Sequence, residues 1–323
     1  NRLDVEMDRD IIFLAESGEE GTPQVGINFM VDKHWDEIAA EYALAEGGGM
    51  QDVDGHVHVV GVQTTETMPR RATLVARGTA GHGSRPRPDN AVAMIADAVS
   101  RAAAWETPVR LNSTTRAYFE RMATLNDGDA AFRYANIDNP EHQTAIDAWF
   151  RLHDPLHYSS VRTSVTPTII DAGFRKNVIP SEATAVLDIR MLPGEDVAGF
   201  YRELAAVIDN PAIEIVPEDI YRPAAPPSPI DNEMFQVIEA VSERLYPQST
   251  TLPIMATGAT DMSQLRAKGT PSYGIGPART LEEINSRFGA HSDDERVSEE
   301  SLQEMVRFLW NIVIDIGAAE SGL

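Results

Sequence analysis

The sequence predicts an α/β protein: one mixed-sheet domain, split in two by an inserted α+β sandwich. Three observations predict it. Short runs of β-branched and large apolar residues, bounded by Gly, Ser or Pro, alternate with amphipathic stretches at helical spacing. A middle block reads strand, helix, strand, strand, helix, strand, the order of a compact sandwich. The segment Pro223-Ala224-Ala225-Pro226-Pro227-Ser228-Pro229 is the strongest linker in the chain and marks the return from the insertion. The resulting partition is residues 1–70, 71–218 and 219–323, the first and last together forming one domain.

Asn1 to Asp10 is polar and reads as a connection. Ile11-Ile12-Phe13-Leu14 is too short for a helix and ends in Ser17-Gly18-Glu19-Glu20-Gly21, so it reads as a buried strand carrying two adjacent carboxylates to a sheet edge. Ligands of α/β sheets bind just past the carboxyl ends of such strands. Val25, Phe29, Met30 and Val31 fit one face of a short helix, and Tyr42 to Ala45 reads as a second strand, ending at Glu46 and three glycines. Strand, acid, glycine therefore occurs twice.

His56 to Thr67 alternates as a strand, and Ala72 to Gly78 is another, leading to Gly81-His82-Gly83-Ser84. A helix follows from an Asp89 N-cap to about Trp105, with Ala91, Met94, Ile95, Ala98 and Val99 on one face. Thr107 to His157 is polar and irregular, with helical fragments only. Strands return at Ser164 to Phe174 and Ala183 to Leu192, then a helix to Ile208 and a strand at Ile213 to Val216. After the linker come a helix (Asp231 to Leu245), a strand (Leu252 to Ala256), the turn Gly258-Ala259-Thr260-Asp261, a further helix and strand, the segment Gly289 to Glu295, and a closing amphipathic helix from Glu299 to about Ile316.

Composition narrows the chemistry. With 27 basic against 50 acidic residues the net charge is −23, which repels phosphate backbones and argues against nucleic acid as a partner. No apolar stretch approaches membrane-spanning length. The chain begins at Asn1, not Met, so a leader and the compartment are left open. There is no cysteine, so any metal is held by carboxylates and imidazoles. Glu20, Glu46 and His291 stand beside glycine or small residues at strand ends or loops, an oxygen and nitrogen set suited to zinc, manganese or cobalt. Glu19, next to a ligand, is placed to act as general base on a metal-activated water.

Each residue also has a bland reading. An acidic pair in a turn is commonly a solvated loop, His82 can cap a strand-to-helix junction, and Asn177 is a natural turn residue. Arg190 can pair with Asp188 or Glu182 on the surface, and Asp261 can be an N-cap. His56 and His58 read as surface or packing residues, and Asp293, Asp294 and Glu295 as a solvated charge run.

In order, the motifs are Glu19-Glu20-Gly21, Glu46-Gly47-Gly48, Gly81-His82-Gly83-Ser84 with Pro86, Asn177-Val178-Ile179-Pro180, Asp188-Ile189-Arg190, Gly258-Ala259-Thr260-Asp261 and Gly289-Ala290-His291. Together they resemble the dinuclear zinc exopeptidase and amidohydrolase family of aminoacylase, carboxypeptidase S, glutamate carboxypeptidase and succinyl-diaminopimelate desuccinylase. The resemblance covers nearly the whole chain and is closest in appearance to carboxypeptidase S and the N-acyl amino acid hydrolases. It implies a zinc-exopeptidase-like catalytic domain with a ferredoxin-like lid and dimerisation domain inserted. It also implies two zinc ions, with manganese or cobalt as substitutes, Glu20 and His291 on one and Glu46 on the other. Glu19 would be the base, His82 would reach a partner's active site across a homodimer, Asn177 and Arg190 would hold the substrate, and the turn at Gly258 would shape the pocket. The substrate class implied is a small acylated amino acid or peptide, cut at an amide next to a free carboxylate. A tripeptide-type aminopeptidase is the alternative enzyme, and a non-catalytic dimerising or binding protein the alternative from another class.

One departure stands out. The family also uses a His-x-Asp motif and a bridging Asp upstream of the paired glutamates, and only eighteen residues precede Glu19. His34-Trp35-Asp36 has the right letters between the wrong elements and reads as a decoy. As written, the chain supplies three ligands and no bridging carboxylate, as expected of the carboxy-terminal part of a longer enzyme or of one that has lost its second metal.

Overall fold

The computed structural model describes residues 5–219, 222–280, 282–283 and 291–319. The expected strand at Ile11–Leu14 is a correction: it joins no ladder, and Phe13 is 90% exposed. Only Leu14 turns inward, against Ile27, Val31 and Ile38. Apolar content says that a segment can be a strand, but a partner strand decides it.

The following elements build a mixed sheet. Helices α1 (Ile27–Lys33) and α2 (Trp35–Ile38) precede β1 (Ala43–Ala45), β2 (Gly49–Val53) and β3 (His56–Glu66). The first helix buries Ile27 and Val31, whereas Val25 and Phe29 of the expected face are exposed. Thr67 alone separates β3 from β4 (Met68–Arg77), so the chain passes directly from one sheet to the next. Then come β5 (Gly81–His82) and α3 (Ala91–Ala104), whose N-cap is Asn90 and not Asp89. Asp89 instead accepts from the Thr79 amide.

Residues 107–163, expected to hold only fragments, form four helices with their own core: α4 (Ser113–Leu125), α5 (Gly128–Ala135), α6 (Gln143–His153) and α7 (Pro155–Ser160). Phe119, Ile137, Ile146, Phe150 and Val161 pack together within it. Local signals were present, an Asn112/Thr115 capping box and an Asp154 cap followed by Pro155. Ile146, Trp149 and Phe150 of α6 also stand at helical spacing.

The insertion continues with β6 (Ser164–Ala172), β7 (Val178–Ile179), β8 (Glu182–Met191), α8 (Val197–Ile208) and β9 (Ile213–Pro217). Four strands form an antiparallel sheet in the order β6-β8-β4-β9. Alternate residues of β8, Ala183, Ala185, Leu187, Ile189 and Met191, point into one core with α3 and α8. Finally come α9 (Glu233–Leu245), β10 (Thr250–Ala256), α10 (Met262–Ala267), β11 (Ser272–Gly274), β12 (Ala278–Thr280) and α11 (Glu299–Gly317). In the main sheet β3 is the shared strand: β2 and β11 pair with it antiparallel and β10 parallel, while β1 extends from β11 and β12 from β2. Helices α9 and α11 bury Phe235, Ile238, Phe308 and Ile312 against Val60, Val62 and Tyr273.

The helical insertion is fastened to β3, α9 and β10. Thr114 and Thr64 hydroxyls meet at 2.6 Å, and Arg121 donates to the Thr251 carbonyl at 2.6 Å and to Glu239 at 2.7 Å. Among the described residues no helix is long and apolar enough to cross a membrane.

Candidate active site

The two acid turns depend on glycine. Gly18 has φ +82°, a conformation that L side chains rarely adopt, and a Cβ there would fall 2.5 Å from the Thr22 carbonyl oxygen. The turn it permits, closed by Thr22 N–H donating to Gly18 at 2.8 Å, presents Glu19 and Glu20 side by side. Gly47, at φ +108°, follows Glu46 directly beyond β1, and a Cβ there would come 2.0 Å from Gln63 Oε1 of β3.

The Gly258–Asp261 turn beyond β10 is held from beneath. Glu66, at the end of β3, accepts from the Thr260 amide at 3.0 Å, the Thr260 hydroxyl at 2.7 Å and Gln63 at 2.9 Å, and pairs with Arg266 at 2.9 Å. Both members of that ion pair are buried. Above it Arg222 forks, its Nη1 3.3 Å from Asp261 and its Nη2 3.2 Å from Glu19. His291, with φ +64°, brings Nδ1 to 3.8 Å from Glu20, both side chains largely open to solvent.

These carboxylates bear on one another. Burial pushes Glu19 up, Glu46 and Asp261 add to it, and Arg222 opposes. Glu46, open on one side, is likewise pushed up by burial, then by Glu20 and Asp261. Glu16 rises to about 8, first through burial and then through its hydrogen bond with Asp261.

The structure thus brings Glu19, Glu20, Glu46 and His291 into one neighbourhood from distant stretches. His82 and Asn177 meet elsewhere, on the β5–β7 ribbon, where the Gly83 amide donates to the Asn177 carbonyl at 2.8 Å and the His82 ring meets Ser84 Oγ at 2.8 Å. Arg190 is engaged by Asp188 at 3.0 Å, the surface pairing that its strand position allowed. Gly258 is exposed, with open space where a Cβ would stand. His34 pairs with Glu37, as suits a decoy. Gly289 and Ala290 lie outside the described residues.

Among the described residues no three His, Asp or Glu side chains form a group able to hold a metal ion. Glu46 and Glu20 repel each other, and the His291 imidazole rides on an exposed segment next to the equally exposed Glu20. The donor chemistry fits one cation, held by Glu20 and His291 with Glu46 facing them, and positive charge there would relieve the mutual repulsion of the carboxylates.

Sequence reasoning missed Arg222, Glu16 and the Glu66–Arg266 pair. One signal for Glu66 was legible: Gln63-Thr64-Thr65-Glu66-Thr67 continues a strand as an unbroken polar run, and all five are buried. Such a run is buried only when it is building something polar. Arg222 carried no comparable signal.

Residues 70–216 match the model of the peptidase dimerisation domain of the M20 family. An N-fatty-acyl-amino acid synthase/hydrolase PM20D1 of Xenopus tropicalis is 25% identical over 91% of this chain and 58% of its own length. A probable carboxypeptidase S-like 2 of Dictyostelium discoideum is 24% identical over 72% of this chain and 44% of its own. The chain therefore spans about half the length of these relatives. An M20 family metallo-carboxypeptidase of Sulfolobus solfataricus shares the fold at a TM-score of 0.59 and 14% identity, over 89% of this chain and 66% of that one. With the motifs in order, the sandwich in the matched region and the mixed sheet around it, residues 70–216 carry an M20-type peptidase dimerisation domain and the chain as a whole is similar to M20 peptidases.

Proposed function

We propose that the chain carries the acid turns of a metal-assisted amide hydrolase that releases an amino acid by cutting next to a free carboxylate. The observation that carries this reading is the convergence of Glu19, Glu20, Glu46 and His291 at one end of the main sheet. Glu20 and His291 would hold the metal, with Glu46 facing them; when bound, the metal makes a water acidic enough for a carboxylate to deprotonate. Glu19, oriented by Arg222 and raised by its neighbours, takes that proton and returns it to the leaving amine. Residues 71–218 form the lid in this reading. There His82 and Asn177, aligned by their ribbon, meet the substrate, Arg190 turns from Asp188 to the substrate carboxylate, and Gly258 leaves room at the pocket wall. Relatives named N-fatty-acyl-amino acid synthase/hydrolase favour an N-acyl amino acid as the substrate class. The partner is a second copy of the chain, added along the edge strand β6, where Ile169 and Ile170 are exposed.

The second reading, for which the matched dimerisation domain speaks, is a dimerising protein without turnover. Metal content per chain, measured with amino acid release from a panel of N-acyl amino acids, separates them. Bound metal with hydrolysis that Glu19→Gln abolishes, metal being retained, supports the hydrolase. Neither metal nor release overturns it.

A further inference from the structure

Three carboxyl groups crowd one guanidinium beside the acid turns, and one of them, Glu16, belongs to no motif. Its carboxyl lies over the buried Gly26, where an added Cβ would stand 2.2 Å from Glu16 Oε2, so the side chain sits directly against that backbone. There it faces Asp261 closely enough for the two carboxyl groups to share a hydrogen bond. Two carboxyl groups form such a bond only when one of them carries a proton, since ionised oxygens only accept. Glu16 Oε2 and Asp261 Oδ2 are both buried and meet no protein donor, a costly state for two ionised groups.

We propose that Glu16 is a positioning residue: it shares one proton with Asp261, ties the Gly258–Asp261 turn to the Ser17–Gly21 turn, and leaves Arg222 a fixed fork between Asp261 and Glu19. Without that proton, Glu16, Asp261 and Glu19 set three negative charges against one positive. With it, two carboxylates remain, and Arg222 touches both of them. The groups facing Glu16 are Asp261 from the turn after β10, Glu19 from its own segment, and Arg222 from the chain leading into the linker; Gly26 adds no charge. Burial, Asp261 and Glu19 all favour the protonated acid, and Arg222 alone opposes it.

The sign of the linked stability follows. Glu16 keeps its proton in the folded chain over a range where the unfolded chain has lost it, so the contribution is full at low pH. It is lost as pH rises from the ordinary carboxyl range toward about 8. Glu16→Gln retains a donor toward Asp261 and cannot ionise, so its stability lacks this decline.

The test is thermal and chemical unfolding of the full chain, with and without Glu16→Gln, across that pH range. The expected result is a gap in favour of Glu16→Gln that widens with pH by at least roughly tenfold in the folded-to-unfolded ratio, allowing for partial exposure. A gap independent of pH overturns the proposal. A second measurement needs no variant: infrared spectra of the wild-type chain near neutral pH should hold a protonated-carboxyl carbonyl band that bleaches as pH passes 8, and its absence overturns the proposal equally. The inference rests on the hydrolase reading only for the use made of Glu19. Absence of turnover with both signatures present sinks that reading alone; turnover with neither signature sinks this one.

Discussion

A carboxylate–guanidinium pair and a carboxylate–imidazole pair stand at the same end of the main sheet. Glu66 and Arg266 meet at 2.9 Å with side chains 4% and 2% exposed, and Glu66 takes three further hydrogen bonds from Gln63 and Thr260. Glu20 and His291 stand 3.8 Å apart at 80% and 79% exposure. The first pair is held by several bonds at once, because a buried charge has no water to turn to and Glu66 draws donors from Gln63, Thr260 and Arg266. The second has water all round, and an exposed pair of this kind contributes only about 0–1 kcal/mol. The buried pair therefore builds the turn, and the exposed pair is held only loosely.

Removing one member of the buried pair is the most severe way to break this contrast. Glu66→Ala leaves Arg266 as an uncompensated buried cation and should cost about 3–5 kcal/mol, read as a lower denaturant midpoint at unchanged slope. A cost below about 1 kcal/mol would mean that water reaches Arg266 after all. Glu19→Gln removes the proposed base and should lower turnover by roughly 10²–10⁴-fold with little change in substrate affinity, as steady-state kinetics on an N-acyl amino acid would show. A smaller step is Arg121→Met, which cuts the insertion's tie to Thr251 and Glu239. Loss of about 1–2 kcal/mol is expected, with faster hydrogen exchange confined to α4 and β10. The mildest change is at the exposed pair. Glu20→Gln and His291→Ala should each leave the unfolding midpoint nearly unmoved while lowering bound metal per chain in equilibrium dialysis; large destabilisation by either would erase the distinction between the pairs.

Legibility in the sequence follows how local each cause is. Alternation in β8 and helical spacing in α3 are set by neighbours in the chain, and both elements appear where the pattern puts them. Ile11–Leu14 has the composition of a strand and the wrong environment, which no local pattern contains. The four helices between residues 113 and 160 read only as fragments, and what joins them is a shared core: Phe119 of α4 and Ile146 and Phe150 of α6 meet Ile137 and Val161, which follow α5 and α7. At the site, Glu19, Glu20, Glu46 and His291 stand out through glycine and acid motifs, yet the motifs say nothing of how His291 sits against Glu46.

What the sequence determined by itself is the inventory: α/β architecture, an inserted sandwich, two glycine-enabled acid turns and no thiolate chemistry. These follow from steric rules and side-chain chemistry that act within a few residues. Only the tertiary structure decided that Arg222 spans Asp261 and Glu19, that Glu66 is buried on Arg266, and that Glu16 meets Asp261. Each is an electrostatic contact between segments far apart in the chain, and its strength depends on burial and distance that exist only once the sheet has assembled.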